Sequence, residues 1–301
     1  MPGCAAVSPR ARLLQQLARA TVLLAVGVVG MPTALAGPLS CALGPVSGFS
    51  LAYSASSPSM LVATGTVALN CTKTGTNIDT RYYELGASSG LNALGSQLRA
   101  SSGTGFLNYG LYRDASLANA WSETTGNRLA GAVTTASSTL VNVSFWFAVP
   151  ASQWVSSGTY TDTVTVFLYQ GPQPMPATVD SSPTTASFSV TLSVISQCTL
   201  SAPPGMLLLS YTSFQSAAST ASTNFAVTCT NGLPYTASLD ASSGTLLGLT
   251  YSLSISPAGT RTGTGVAQGL SIVGTLAPGQ SGICSAGSCT ASDTRTLTIT
   301  Y

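Results

Sequence analysis

Val141-Asn142-Val143-Ser144-Phe145-Trp146-Phe147-Ala148-Val149 is apolar at every second position. Val141, Val143, Phe145, Phe147 and Val149 fall on one face of an extended strand, and Asn142, Ser144, Trp146 and Ala148 fall on the other. A period of two marks a half-buried β-strand, because successive side chains leave a strand on opposite sides. Downstream, Phe188-Ser189-Val190-Thr191-Leu192-Ser193-Val194 repeats the pattern, with Phe188, Val190, Leu192 and Val194 sharing a face. Clusters of Gly, Ser, Pro and Asn separate such stretches, which is the punctuation of short strands joined by turns. With 30 glycines, 16 prolines and only 6% charged residues, the chain has little that would sustain helices. Its polarity comes instead from hydroxyl side chains suited to outward strand faces. The fold class is read as all-β, built from sandwiches.

Towards the N-terminus, Arg10, Arg12 and Arg19 lead into the apolar run from Val22 to Val29, followed by small residues ending Ala34-Leu35-Ala36. That layout predicts a secretory signal peptide over residues 1–36 and a product exported to the periplasm or beyond. The run falls short of the roughly 20 residues a spanning helix needs. Removing three of the ten basic residues leaves seven against eight acidic ones, a net charge of −1, and no basic patch points to nucleic acid. Six cysteines remain after Cys4 is removed: Cys41, Cys71, Cys198, Cys229, Cys284 and Cys289. Export favours their oxidation. Of the pairings open to six cysteines, spacing favours Cys41 with Cys71, Cys198 with Cys229, and Cys284 with Cys289. The chain has no histidine and no CxxC motif, so neither a metal nor a cofactor is expected.

The first two cysteine pairs belong to an internal repeat. Tyr53-Ser54 follows Cys41 by 12 residues and Tyr211-Thr212 follows Cys198 by 13. Val67 to Cys71 matches Phe225 to Cys229, and tyrosines follow in each copy at Tyr82 and Tyr83 or at Tyr235. Leu107 to Leu111 matches Leu249 to Leu253, and Asp162 to Val166 matches Asp293 to Leu297. Two copies of one domain are predicted. They are a first domain over 37–186, a linker strand over 187–197 that completes it, and a second domain over 198–301.

The copies differ after their last matched strand. The first continues through a Pro-rich turn to the Phe188 to Val194 strand; the second has only Leu297-Thr298-Ile299-Thr300-Tyr301. If the architecture needs the additional strand, the second domain is open as synthesised, with Leu297, Ile299 and Tyr301 along one edge of an acceptor groove. Alternatively, these residues end a shorter, complete domain. Gly37 to Ser40, the stretch ahead of Cys41, is too short to fill a neighbour's groove at ~3.3 Å per residue. A chain that accepts a strand without donating one belongs at the end of a polymer. Processing near Ala20 instead would let Thr21 to Leu35 be read as a donor strand.

The two copies resemble spore coat protein U domains. The resemblance rests on the early cysteine pair with its intervening Tyr-Ser or Tyr-Thr, on Leu107-Asn108-Tyr109-Gly110-Leu111-Tyr112-Arg113-Asp114 followed by Trp121, and on Gly158-Thr159-Tyr160-Thr161-Asp162-Thr163-Val164-Thr165-Val166. The second copy lacks a counterpart of Trp121 and adds the Cys284 and Cys289 loop. The resemblance implies pilin-type, immunoglobulin-like sandwiches of archaic chaperone-usher pili, held by a periplasmic chaperone, exported through an outer-membrane usher and joined by donor-strand complementation. It further implies a two-domain tip subunit at the cell surface. Its second domain would take a strand from a shaft pilin, and its first would attach to a host, glycan or abiotic surface and support biofilm formation.

Candidate adhesive residues are apolar side chains between turn formers: Met60, Leu61 and Val62, then Trp154 and Val155, then Met175. Each segment is open to an inward-packed reading as well. A carbohydrate-active enzyme is the further alternative, and its glycosidase chemistry would have to be built from a carboxylate pair such as Asp114 with Glu123. No orienting partner or activated nucleophile accompanies them, and the chain is read as a non-enzyme. A self-contained coat or matrix protein remains the alternative to a fibre subunit.

Overall fold

The computed structural model describes residues 39–174 and 182–301. The expected signal peptide over 1–36 and the candidate Met175 lie outside these residues. Every regular element among the described residues is a strand. In chain order the first ten are β1 (Leu39–Val46), β2 (Phe49–Tyr53), β3 (Leu61–Lys73), β4 (Asp79–Ala87), β5 (Leu98–Ser101), β6 (Phe106–Tyr112), β7 (Leu129–Thr135), β8 (Thr139–Val149), β9 (Gly158–Gly171) and β10 (Thr184–Val194). Eight follow: β11 (Cys198–Ala202), β12 (Ser219–Cys229), β13 (Pro234–Leu239), β14 (Ser243–Leu246), β15 (Leu249–Ser256), β16 (Arg261–Thr262), β17 (Gln268–Leu276) and β18 (Leu297–Thr300).

Strands β1 to β10 form one curled sheet ordered β1-β3-β8-β6-β5-β9-β10-β2, with β4 paired to both β7 and β9. Curling brings the apolar faces of β8 and β10 together, which is how two period-2 strands bury their alternate residues. Phe49 of β2 stacks on Phe147 of β8 at 4.5 Å, and Phe145 meets Phe188 of β10 at 5.6 Å. Phe188, Val190, Leu192 and Val194 are all buried there. β10 runs antiparallel to β9 and parallel to β2 along its length. It starts at Thr184, three residues ahead of the expected linker strand.

Strands β11 to β18 build a second, smaller core. They form a five-stranded sheet, β11-β12-β17-β15-β14, facing a three-stranded one, β16-β13-β18. Phe225, Val227, Cys229, Tyr235, Leu270 and Ile272 are its buried centre. Pairing for pairing, it repeats the first half. β11 and β12 bring Cys198 opposite Cys229 as β1 and β3 bring Cys41 opposite Cys71, and each pair is disulfide-bonded. β12 pairs β17 as β3 pairs β8, β15 pairs β17 as β6 pairs β8, and β13 pairs β18 as β4 pairs β9. Among the described residues, nothing in the second half stands where β10 does, and residues 207–211, the counterpart of β2 by the match of Tyr211 with Tyr53, carry no strand.

Candidate functional site

The repeat extends to side chains that hold the strand ends. In the first half the Gln153 amide clamps β6, accepting the Asn108 N–H at 2.8 Å and donating to the Asn108 carbonyl at 3.0 Å, while the Gln153 N–H donates to Tyr53 Oη. In the second, Gln280 accepts the Thr250 N–H at 2.7 Å and donates to the Thr250 carbonyl at 3.0 Å, and its own N–H donates to Tyr211 Oη. Tyr109 Oη donates to Asp162 Oδ2 at 2.7 Å in the first core, and Tyr251 Oη donates to Asp293 Oδ2 in the second. Burial, then the hydrogen bond and charge of Asp162, hold the Tyr109 phenol far above the ordinary tyrosine range. The only sequence signal for the glutamine clamp is that Gln153 and Gln280 each stand four residues past the end of matched strands, Val149 of β8 and Leu276 of β17. The clamp itself is invisible until β6 and β15 are placed beside them.

Against that shared frame, the difference between the halves is local. In the first half β10 fills the space between β9 and β2 and covers the core. In the second half β18 pairs with β13 alone, Leu297 opposite Leu239 and Ile299 opposite Ala237, so its other edge has no strand beside it among the described residues. Leu297 and Ile299 pack on the second core yet stay half-exposed, as do Leu207, Leu253 and Ile255. Leu207 and Leu209 lie against Gly274 of β17, and Met206 and Leu208, which alternate with them, are 83% and 73% exposed. An unpaired backbone edge beside half-exposed apolar side chains is what an added strand satisfies. Tyr301 is exposed beyond the end of β18.

The chain's two glutamates meet at one arginine. Arg128 lies 3.3 Å from Glu84 and 3.0 Å from Glu123, its guanidinium stacks over the Tyr169 ring at 3.9 Å, and Tyr169 Oη donates to Glu123. Asp114 caps its own turn, accepting from Ser116 and from the Asn119 N–H, and these bonds depress its carboxyl to about 2. Asp114 and Glu123, the pair weighed for glycosidase chemistry, are therefore each engaged by structural partners. Trp121 is buried and donates from Nε1 to the Leu85 carbonyl at 2.6 Å.

The family model for the Spore Coat Protein U domain matches residues 33–167 and again 184–254. The chain belongs to this family. Its second match begins at 184, so it takes in β10 ahead of Cys198 although β10 is built into the first half. Among solved structures, the chain is similar to the CsuC-CsuE chaperone-tip adhesion subunit pre-assembly complex from the archaic chaperone-usher Csu pili of Acinetobacter baumannii, at 14% identity and a TM-score of 0.42, over 87% of this chain and 100% of that one. It is also similar to the CupB6 tip adhesin from Pseudomonas aeruginosa, at 11% identity and a TM-score of 0.36, over 87% of this chain and 94% of that one. No curated protein matches the chain.

Of the two readings left open for the candidate adhesive segments, exposed loop or inward packing, the structure favours a different one from residue to residue. Leu61 and Val62 are the first residues of β3, not loop; Leu61 pairs with Val149 and packs on the first core, while Met60 and Val62 are about half exposed. Trp154 and Val155 do lie between strands, but they fold inward against the first core. Pairing with β8 starts β3 at Leu61, just after the Pro58-Ser59 turn, a boundary that the local turn formers had obscured.

Proposed function

We propose that the chain is a structural and adhesive subunit at the tip of a chaperone-usher fibre. In this reading residues 37–186 and the strand up to 197 form an adhesive domain closed from within. Residues 198–301 form a pilin domain that accepts a strand through Leu297, Ile299 and the gap beside them. One observation carries the reading: β10 is seated between β9 and β2, while its counterpart in the second half is missing among the described residues. A groove filled from the same chain takes no strand from another subunit, which suits the end of a fibre. A periplasmic chaperone would occupy the second groove first, an outer-membrane usher would export the complex, and a shaft pilin's strand would replace the chaperone's. The first domain would then meet a host, glycan or abiotic surface at the fimbrial tip, without catalysis, and support biofilm formation. The half-exposed Met60 and Val62 are the part of the expected adhesive set that remains available for contact.

The test is the melting temperature of the purified mature protein with and without a peptide copying Thr184–Val194, whose alternate apolar residues suit such a groove. A rise of several degrees, abolished by Leu297→Asp with Ile299→Asp, supports strand acceptance. A chain that melts at one temperature regardless of peptide is already complete, and the self-contained coat or matrix protein takes over.

A further inference from the structure

The junction between the two halves serves as a template for a second one. At the end of the first half, the Trp154 carbonyl accepts the Asn231 N–H at 3.2 Å and Ser156 Oγ accepts from the Asn231 side chain at 3.4 Å. The buried Gln197 amide spans Ser54 and Ser56, with Nε2 donating to their hydroxyls at 2.9 and 3.0 Å. Gly265 lies against this surface so closely that a Cβ there would stand 2.6 Å from the Trp154 carbonyl, and its φ of +76° also favours glycine. Thus the turn after Tyr53 and the segment after Gln153 together form a seat for the next domain.

The glutamine clamps fix which residues of the second half stand at the same places. Tyr211 matches Tyr53, and the turn after each closes alike, Gln215 N–H to the Thr212 carbonyl and Ser57 N–H to the Ser54 carbonyl, so Phe214 takes the place of Ser56. Gln280 matches Gln153, so Ile283 takes the place of Ser156. Both have become large and apolar, and both are exposed, Phe214 by 71% and Ile283 by 76%. They flank Gln280 and Ser281: the Phe214 N–H donates to the Gln280 carbonyl, Ser213 Oγ donates to the Ser281 carbonyl, and the Ile283 N–H donates to the Leu247 carbonyl at 2.8 Å. The segment that carries Ile283 is also where the chain departs from the repeat. Residues 277–296 separate β17 from β18, against 150–157 between β8 and β9, and the added length is closed by the Cys284–Cys289 disulfide.

We infer that Phe214 and Ile283 form the seat for the subunit that donates its strand to the second groove. This inference rests on the strand-acceptor reading and adds a second contact to it. The occupant is a domain of the same fold, and it docks through the turns equivalent to those holding Asn231 and Gly265. Its surface there is apolar where this chain's is polar, because the two serines of the inner seat are replaced by phenylalanine and isoleucine. Repeating one head-to-tail contact extends a chain of domains without closing it, and an exposed apolar patch at that end is what such a contact buries.

The test separates strand from seat by using the full chain with two ligands: the Thr184–Val194 peptide, and an intact shaft subunit carrying a comparable strand ahead of its first cysteine. Phe214→Asp with Ile283→Asp is expected to keep the full peptide-induced melting shift, which also reports a folded second half, while the intact subunit dissociates about tenfold faster or more. Dissociation of the intact subunit at the unaltered rate overturns the seat alone. Loss of the peptide shift in the variant also overturns it, because the patch would then belong to the groove. Absence of any peptide shift in the unaltered chain removes the strand-acceptor reading and the seat with it.

Discussion

Asp162 is buried within β9, and its two oxygens are fully committed. Oδ2 accepts from Tyr109, and Oδ1 accepts from the Leu91 N–H at 2.8 Å, the Thr163 N–H at 2.9 Å and the Asn92 side chain at 3.2 Å. One side chain thereby ties the β4–β5 loop to the core. Tyr109→Phe is expected to weaken the first half by about 2 kcal/mol, the usual worth of a buried hydrogen bond to a charged group. Its pH signature has a definite sign. The folded Tyr109 pKa lies above the unfolded value of about 10, so the stability it contributes is complete below about pH 10 and is lost as pH rises towards the folded value. The gap between the two proteins in urea midpoint should be narrower at about pH 10.5 than at about pH 7. A constant gap would mean that the phenol is not the group titrating.

At the scale of the element, β10 and β18 respond to the same substitution in opposite ways. Phe188, Val190, Leu192 and Val194 are each worth about 2 kcal/mol of burial, a sum comparable with the whole stability of an ordinary domain of about 5 to 15 kcal/mol. Leu192→Asp, at a position fully buried between β9 and β2, is therefore expected to unfold the first half and abolish the yield of folded protein. Ile299→Asp lies in a strand with a free edge and a half-exposed side chain. It should leave secondary structure by circular dichroism nearly unchanged and remove only the response to a donor peptide. Equal loss of fold in both would mean that β18 is already covered.

At the scale of the whole molecule, the seat at Trp154 couples the halves through the short link Ile195, Ser196 and Gln197. Replacing Gly265 by valine forces a side chain into the space of the Trp154 carbonyl. The halves should then reorient while each keeps its fold, giving a larger radius of gyration by small-angle scattering with little change in either melting transition. An unchanged scattering profile would show that the three-residue link alone sets the arrangement. In the proposed fibre role this junction would lie in the path of the load, and its stiffness would matter there.

Much of this protein was legible in its residues. The alternation from Val141 to Val149 and from Phe188 to Val194 marked buried strands because a pleated backbone imposes a period of two on whatever faces a core. Matched cysteines, tyrosines and aspartates marked two copies because each copy must satisfy the same strand ends. The family resemblance drawn from those motifs agrees with the family match. Other features depended on contacts between residues far apart in the chain. Whether Leu61 opens a strand was decided by β8, and whether Trp154 faces solvent was decided by the core beneath it. That Arg128 gathers Glu84, Glu123 and Tyr169 has no local signature at all. The sequence offered a strand after the first copy without a match in the second; only the tertiary structure, by seating β10 between β9 and β2, shows where that strand packs and that, among the described residues, none stands beside β18.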